Sequence, residues 1–361
     1  MRTFILLFCL FLCVPLASAD QSYQQFIAKL KVEVAQKGLN PVWVDELFGA
    51  NPTPSDFVID RYRPRPPCGC ARVPDAVKFA DNQRRYLSPL RLKTATNWLK
   101  DPETLKILKD IEATYGVDKE VIVALWSIES SFGSNQGGHN IPQVLATLAW
   151  YKKSKRKAFF KRELINAIEL YGQGHVQPVD FVGSWAGAMG QVQFMPSTFM
   201  AYAVDYDGDG KKDIWNNLGD AFASAANYLK VLRWQQGANW KSDFTLTKKI
   251  RQGIFYDTGL SKQYVFKREN GKIVYHKGKK VVRKYAPYRL PAKVFAKRGV
   301  PLPQDVNSND VVYLYLPHGN QAGLEGYLLH HNFHAILSWN KSSYFAFGIL
   351  SIMDELKKAD L

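Results

Sequence analysis

A glutamate set into an apolar segment is the first group of this sequence that could do acid–base chemistry. Ile122, Leu125 and Trp126 precede Glu129 by seven, four and three residues. On an α-helix these four side chains share one stripe. Burial disfavours the charged form of a carboxyl group, so such a glutamate is held protonated near neutral pH, as a general acid requires. The alternative is a helix-end glutamate that pairs with one of the many Lys and Arg residues.

A second segment, residues 183–196, combines small residues with groups that suit a sugar ligand. Its glycines and alanines allow a backbone to come close to another backbone or to a flat ligand. Uncharged polar side chains suit sugar hydroxyl and acetamide groups, and apolar side chains suit the faces of sugar rings. The residues of these two kinds are Ser184, Trp185, Gln191, Gln193, Phe194 and Met195. The alternative is a close helix–helix crossing without a ligand.

Residues 205–216 have the spacing of a calcium-binding EF-hand loop. Aspartates stand at the alternating ligand positions, a glycine stands at the sharp turn, and a backbone carbonyl follows it. Asn216 replaces the terminal glutamate of such a loop, and Asp220 could take its place. The predicted ligands of a structural Ca²⁺ are Asp205, Asp207, Asp209, Lys211, Asp213 and Asp220. The alternative is an acidic turn without an ion, and no cofactor is expected for catalysis.

The elements that position these groups are predicted to be mostly helices between residues 75 and 231. Asp101 before a proline is a helix start signal, and Gly116 is a stop signal. Asp118 is a candidate cap for the helix that carries Glu129.

The N-terminal part of the chain is predicted to contain short helices followed by an extended connector. Residues 21–48 predict two short helices. The Pro- and Arg-rich residues 51–73 predict an extended connector, because proline cannot continue a helix.

A small antiparallel β module is predicted after Trp240. Two dipeptides typical of two-residue hairpin turns, Asn270-Gly271 and Lys277-Gly278, join alternating segments. The predicted elements of this part are strands near residues 264–267, 272–275, 280–283 and 310–316, a short helix within 291–300, and a final helix over 343–356.

Residues 1–19 are typical of a secretory signal, with a basic residue, a short apolar run and a small-residue cleavage site. We therefore expect an exported, periplasmic protein, soluble or peripherally associated with the envelope, without a transmembrane segment in the mature chain. The formal charge of +16 makes polyanions of the cell envelope candidate partners. No nucleic-acid-binding motif is present. Only two cysteines, Cys68 and Cys70, remain after signal removal. We expect the protein to be a monomer.

Several motifs together resemble the membrane-bound lytic murein transglycosylase B family, glycoside hydrolase family 103. The similarity covers residues 75–232 and resumes near the C-terminus. The motifs are Glu129-Ser-Ser-Phe-Gly133, residues 183–198, Asp205-Tyr-Asp-Gly-Asp-Gly210, residues 220–228 and residues 331–340. Cys68-Gly-Cys70 and the basic insert at 262–288 depart from the family pattern.

This resemblance implies a lysozyme-like helical domain that cleaves the MurNAc-β-1,4-GlcNAc bond of peptidoglycan and leaves a 1,6-anhydro-muramoyl end. Glu129 is then the single catalytic acid. Ser184, Gln193 and Asn340 fall at substrate-contacting positions, and Tyr344 is a further candidate. Phe345 stands where a second tyrosine is expected.

The residues agree with a one-acid mechanism, because neither core motif contains a second carboxylate. An ordinary glycosidase needs two. With one, the N-acetyl group and the C6 hydroxyl of the substrate must supply the second step, and Glu129 acts as acid and then as base. The alternatives are a muramidase that uses water and a non-catalytic peptidoglycan-binding scaffold.

The expected fold class is mainly α (α+β), with an inserted antiparallel β module. The expected organisation is a signal peptide at 1–19, N-terminal helices and connector at 20–74, a lysozyme-like core at 75–245, the β-rich insertion at 246–325 and a C-terminal return to the core at 326–361.

Overall fold

The structure, a computed structural model, describes residues 19–62, 75–151, 156–250 and 289–359, and the backbone of the strands between 259 and 287. The predicted signal peptide lies almost wholly outside these residues, and Cys68 and Cys70 lie outside them altogether. Within the described part, no helix is both long and apolar enough to cross a membrane.

Helices dominate the described residues, which confirms the predicted fold class. They are α1 (Ala19–Gln36), α2 (Val42–Phe48), α3 (Asp56–Arg61), α4 (Asp75–Tyr86), α5 (Pro89–Lys100), α6 (Pro102–Tyr115), α7 (Lys119–Glu129), α8 (Ile141–Trp150), α9 (Lys157–Gly172), α10 (Pro196–Tyr202), α11 (Leu218–Val231), α12 (Ala292–Ala296), α13 (His331–Trp339) and α14 (Ser343–Lys357).

The strands are short, and all pairs are antiparallel. They are β1 (His139–Asn140), β2 (Val182–Gly183), β3 (Lys241–Thr245), β4 (Gly259–Leu260), β5 (Lys262–Phe266), β6 (Arg268–Glu269), β7 (Lys272–Ile273), β8 (Tyr275–His276), β9 (Lys279–Lys280), β10 (Val282–Pro287), β11 (Leu290–Pro291), β12 (Val311–Leu316) and β13 (Glu325–Leu329).

The chain divides into two compact units. The first consists of the described parts of Met1–Arg65, Gly137–Met189 and Met195–Met200. The second consists of the described parts of Pro66–Gln136, Gly190–Phe194 and Ala201–Leu361.

The helix signals before Glu129 have different outcomes. Asp101 caps α6 as predicted, since its Oδ2 accepts a hydrogen bond from the Thr104 N–H at 2.9 Å. Gly116 ends α6 in the left-handed region, with φ of 66°. Asp118 stands at the N-cap position of α7, but its side chain makes no cap hydrogen bond, so that prediction was wrong.

The carboxylate of Asp118 binds two side chains in place of the backbone N–H groups of α7. It pairs with the Lys357 ammonium at 2.7 Å and accepts from Trp234 Nε1 at 2.7 Å. Glu112 takes over part of the cap, because its Oε1 accepts from the Lys119 N–H at 3.0 Å.

The predicted extended connector is interrupted by α3, a helix that was not predicted from the sequence. No proline lies between Ser55 and Arg61, so a short helix fits between the flanking prolines. Ser55 begins it, and its Oγ accepts a hydrogen bond from the Val58 N–H at 3.4 Å.

The β module in the second unit contains a five-stranded sheet, ordered β11-β12-β13-β3, with β4 paired to β12. The predicted β12, α12 and α14 are confirmed. β3 and β13 were missed, because their polar and glycine-containing sequences are weak strand signals. Strand β5 pairs with β10, and β6 pairs with β7 on either side of Asn270-Gly271.

Helix α7 lies in the main core of the second unit. Its residues from Val121 to Trp126 are at most 1% exposed. A smaller core beneath α12 and the sheet is centred on Phe295, Leu314 and Leu328. Because α7 is packed on every side, the position of its last residue, Glu129, is fixed.

Candidate active site

Glu129 is the last residue of α7. The helix stops there because Ser131, Phe132 and Gly133 take positive φ angles of 52°, 60° and 78°. The Ser130 Oγ fastens this turn by accepting a hydrogen bond from the Gly133 N–H at 3.0 Å. Positive φ is costly in residues other than glycine and persists where the surroundings impose it. The turn leaves the Glu129 side chain partly exposed at the end of a buried helix.

The carboxyl of Glu129 accepts a hydrogen bond from a tryptophan. Nε1 of Trp339 donates to Oε1 at 2.8 Å. The Trp339 ring is held by Phe194 and Tyr228, with ring centroids 5.4 and 5.1 Å away. Tyr228 in turn stacks on Tyr202 at 4.5 Å. This aromatic packing aims one donor at one carboxyl oxygen.

Burial raises the pKa of Glu129 to about 7, and the Trp339 hydrogen bond opposes this shift only in part. No charged side chain of the described residues contributes to the shift. At neutral pH the carboxyl is therefore divided between its protonated and ionised forms. A single group in this condition can give a proton and take one back.

Gln191 is hydrogen-bonded to the helix that ends at Glu129, and its side chain is buried. Its side chain is 5% exposed. Oε1 accepts from Trp126 Nε1 at 2.7 Å, and Nε2 donates to the Trp215 carbonyl at 3.1 Å. Both ends of the amide are bound within the protein, so this position favours a supporting role over the predicted substrate contact.

Gln193 is partly exposed and has an unusual backbone, with φ of 49°. Its Nε2 donates to the carbonyls of Gln136 at 3.0 Å and Gly190 at 2.9 Å. These bonds orient the amide through its nitrogen, and its contact with substrate stays a prediction. Phe194, by contrast, is 2% exposed and serves as packing for Trp339.

Ser184 and Met195 belong to the first unit. The Ser184 Oγ accepts from the Ala188 N–H at 3.0 Å and so closes a tight turn. Met195 is partly exposed and lies close to Gly187, where φ is 93°. Both side chains remain predicted substrate contacts.

Asn340 and Tyr344 follow Trp339 in the chain. Asn340 is exposed, and its Oδ1 accepts from the Ser342 N–H at 3.2 Å. Tyr344 is partly exposed in the first turn of α14, and Phe345 is buried. The contacts of these two polar side chains with substrate stay a prediction.

Three of the predicted metal ligands come together. Asp205, Asp207 and Asp209 each offer a carboxylate oxygen, and these oxygens lie within 4.8 Å of one another. That spacing suits the oxygen shell of Ca²⁺, whose ligand distances are about 2.3–2.6 Å. Asp205 also accepts from the N–H groups of Gly208 and Gly210, at 2.7 and 2.8 Å, which holds the loop in shape.

Asp220 binds the backbone of the acidic loop at two points. It is fully buried, and its two oxygens accept from the N–H groups of Tyr206 at 2.8 Å and Asp213 at 2.6 Å. Burial, with Asp207 and Asp205 nearby, raises the pKa of Asp220 to about 6. Lys211 is exposed at the loop tip.

The acidic loop is tied to the helix of the catalytic candidate by hydrogen bonds. Asp213 Oδ1 accepts from the Trp215 N–H at 2.9 Å. The Trp215 carbonyl accepts from Gln191 and, at 2.9 Å, from Gln136. Gln191 then binds Trp126, one turn before Glu129. The loop therefore supports the segment 190–194 and α7 at once.

Three residues of the site, Trp339, Tyr228 and Trp215, were not predicted from the sequence. Trp339 and Tyr228 lie inside motifs that carry the resemblance, which was the available signal. Their roles depend on tertiary contacts, such as the one between Trp339 and Glu129 across 210 residues of chain.

A known protein family and several solved structures match most of this chain. Residues 22–354 match the family described as the transglycosylase SLT domain. Membrane-bound lytic murein transglycosylase B from Escherichia coli is 39% identical over 123 residues, which are 34% of this chain and 34% of that protein. The matched stretch thus spans about a third of the length of that relative.

Two solved structures show the same fold over nearly the whole chain. SltB3 from Pseudomonas aeruginosa in complex with NAG-anhNAM-pentapeptide has 31% identity and a TM-score of 0.71, covering 93% of this chain and 80% of that chain. The lytic transglycosylase Slt35 from Escherichia coli in complex with calcium has 23% identity and a TM-score of 0.67, covering 95% of both chains. By the extent of the family match and the identity with SltB3, the chain belongs to the transglycosylase SLT domain family.

Proposed function

We propose that this protein is an exported peptidoglycan lytic transglycosylase that cleaves the MurNAc-β-1,4-GlcNAc bond and leaves 1,6-anhydro-MurNAc ends. The observation that carries the proposal is the Glu129 carboxyl, which has a pKa of about 7 and no charged neighbour that shifts it among the described residues. Family membership supports the reaction class. The anhydro product is supported by the NAG-anhNAM-pentapeptide bound to SltB3.

One acid serves both steps of the proposed reaction. Protonated Glu129 gives its proton to the glycosidic oxygen as the bond from C1 to that oxygen breaks. The N-acetyl group of the substrate stabilises the positive charge at C1. The C6 hydroxyl then attacks C1, and the Glu129 carboxylate takes the hydroxyl proton, which restores the starting state.

The Trp339 hydrogen bond supports the second half of this cycle. A donated N–H stabilises the ionised carboxyl that exists between the two proton transfers. Burial favours the neutral acid that starts the cycle. The opposition of these effects keeps both forms accessible near neutral pH.

The proposed substrate contacts are those predicted residues whose side chains remain accessible. Ser184, Gln193, Met195, Asn340 and Tyr344 are partly or fully exposed. The buried Gln191 and Phe194 support the site instead, through Trp126 and Trp339.

The acidic loop is proposed to hold a structural Ca²⁺. Asp205, Asp207 and Asp209 would supply carboxylate oxygens, and the calcium complex of Slt35 supports the choice of ion. When bound, the ion would neutralise the repulsion among these carboxylates. The further predicted ligands are Lys211 through its carbonyl, Asp213 and Asp220.

The test is replacement of the proposed acid. Glu129→Gln keeps the shape of the side chain and removes proton transfer, which is typically worth about 10²–10⁴-fold in rate. We expect near-complete loss of sacculus lysis, measured by turbidity, with binding to sacculi retained. The matched control is Glu103→Gln, an exposed glutamate of α6, which should lyse normally. Lysis by Glu129→Gln at the control rate would remove Glu129 from its role.

A further inference from the structure

In the first unit, an arginine lies against a tryptophan of the segment 183–196. The guanidinium carbon of Arg61, the last residue of α3, is 4.3 Å from the ring centroid of Trp185 and 5.4 Å from that of Phe57. Phe57 precedes Arg61 by four residues, so both lie on one side of α3. One face of Trp185, a residue expected to stack on sugar rings, is therefore occupied by a cation.

Helix α3, which carries Arg61, is anchored to α8. Its residue Val58 is fully buried. Just before the helix, the Ser55 N–H donates to Thr147 Oγ1 at 2.9 Å. The Gln143 Nε2 donates to the Thr53 carbonyl at 3.1 Å. These contacts hold α3 in place, so Arg61 is presented from a fixed element.

The segment that carries Trp185 is held as well. Strand β2 pairs with β1 and leads directly into Ser184 and Trp185. The N–H of Ser184 donates to the Ala188 carbonyl at 2.7 Å, and the Ser184 Oγ accepts from the Ala188 N–H. The ring of His139, in β1, contacts that of Phe57, with centroids 4.5 Å apart. The arginine and the two aromatic side chains beside it are thus built into one supported cluster.

This cluster presents hydrogen-bond donors at the surface. Arg61 is exposed, and the Phe57 side chain is 46% exposed. The structure gives Arg61 no hydrogen bond or ion pair with another described residue. A guanidinium that lies over an aromatic ring keeps N–H donors for an acceptor, and its planar fork matches a carboxylate through two parallel bonds. The cluster is therefore suited to a carboxylate beside an apolar surface.

We propose that Arg61, supported by Trp185 and Phe57, binds a carboxylate carried by the muramoyl units of peptidoglycan. This inference rests on the proposed function, because the polymer that Glu129 would cleave carries such groups. The carboxylate is either that of the lactyl group, in a unit without a peptide, or one of the stem peptide. GlcNAc has neither group, so a contact of this kind distinguishes the two sugars of the strand.

The test removes the charge of Arg61 and measures saccharide binding. Arg61→Gln is compared with Arg162→Gln, which replaces an exposed arginine of α9 in the same unit. Both are made in the Glu129→Gln protein, so that the saccharides stay intact during calorimetry. The ligands are chitotetraose, which has no carboxylate, a peptide-free tetrasaccharide of alternating GlcNAc and MurNAc, and the same tetrasaccharide with stem peptides.

We expect Arg61→Gln to bind a carboxylate-bearing saccharide about tenfold more weakly than the control, as for the loss of one charge-assisted hydrogen bond. Chitotetraose should bind equally to both. A loss confined to the peptide-free tetrasaccharide identifies the lactyl carboxylate, and a loss on the peptide-bearing one identifies the stem peptide. Equal binding of every ligand by the two variants would overturn the proposal. An equal loss with chitotetraose would overturn it too, because the contact would then not depend on a carboxylate.

Arg61→Lys tests the role of the planar fork. Lysine keeps the charge but cannot form two parallel bonds from one plane, so we expect it to recover only part of the binding. Full recovery would show that charge alone is enough and would contradict the proposed geometry. Equal melting temperatures of the variants check that the fold is retained.

These measurements are independent of catalysis. If the chain with Glu129 intact cleaves no glycan while the carboxylate-dependent difference persists, the proposed activity fails and the binding site remains supported. If the Arg162→Gln control binds none of the three saccharides, both proposals fail.

Discussion

At the scale of single residues, the balance at Glu129 is between burial and one hydrogen bond. Burial favours the neutral carboxyl, and the Trp339 N–H favours the ionised one. The net result is a pKa of about 7, far above that of an ordinary glutamate. An acid with that pKa is suited to proton transfer in both directions near neutral pH.

Trp339→Phe should therefore raise the pKa of Glu129 further. The variant removes the donor while keeping an aromatic ring against Phe194 and Tyr228. Loss of one hydrogen bond to a charged group corresponds to about one pH unit. Because the proposed first step needs the protonated acid, activity should fall as pH rises through this pKa, and the falling limb should move to higher pH by that amount.

The measurement is kcat against pH on a soluble glycan. The matched control is Trp240→Phe, which removes a tryptophan donor to Asp354 instead and should leave the profile in place. A falling limb of Trp339→Phe that coincides with that of the unaltered protein would show that this hydrogen bond does not set the pKa.

Gln191, a predicted substrate contact, is buried and hydrogen-bonded within the protein, which favours a supporting role. Gln191→Leu should leave the buried Trp126 N–H without its acceptor, which costs about 1–3 kcal/mol for an unsatisfied buried group. The Trp215 carbonyl keeps its hydrogen bond from Gln136. We expect a loss of free energy of unfolding of that order, measured by urea denaturation. Gln193→Leu, at a partly exposed amide, should cost less and weaken substrate binding instead. The reverse ranking would contradict the supporting role of Gln191.

At the scale of elements, the acidic loop, the segment 190–194 and α7 form one connected support. The loop reaches Trp215, the Trp215 carbonyl binds Gln191, and Gln191 binds Trp126. Order in the loop therefore bears on where α7 ends.

Removal of Ca²⁺ by a chelator should lower the melting temperature. The cleavage rate, measured at a temperature where the protein stays folded, should change less. An ion at 100 times its Kd contributes about 2.7 kcal/mol to stability. We expect the melting temperature to fall on removal of Ca²⁺ and to recover on its return. Asp205→Asn with Asp209→Asn should abolish this response, while Asp180→Asn, at an exposed aspartate outside the loop, should keep it. An unchanged melting temperature after chelation would mean that the loop holds no ion.

Local signals decided which elements the sequence could predict. Asp101 and Gly116 bound α6 as expected, because caps depend on neighbours along the chain. Asp118 failed as a cap, since the distant Lys357 and Trp234 compete for its carboxylate. Trp339 was overlooked for the same physical reason, because its partner Glu129 is close only in the folded chain.

At the scale of the whole molecule, the mainly helical class and the β insertion were predictable from periodicity and turn residues. The grouping of described residues into two compact units was not, because segments far apart in sequence join each unit. The formal charge of +16, by contrast, is read directly from the sequence.

The central claim is that Glu129 alone drives cleavage and that the C6 hydroxyl of the substrate replaces water. Mass spectrometry of the muropeptides released from sacculi tests it most directly. We predict fragments with anhydro ends, lighter by one water than their reducing counterparts, from the unaltered protein and none from Glu129→Gln. Fragments with free reducing ends would contradict the claim, because water would then have taken the place of the C6 hydroxyl.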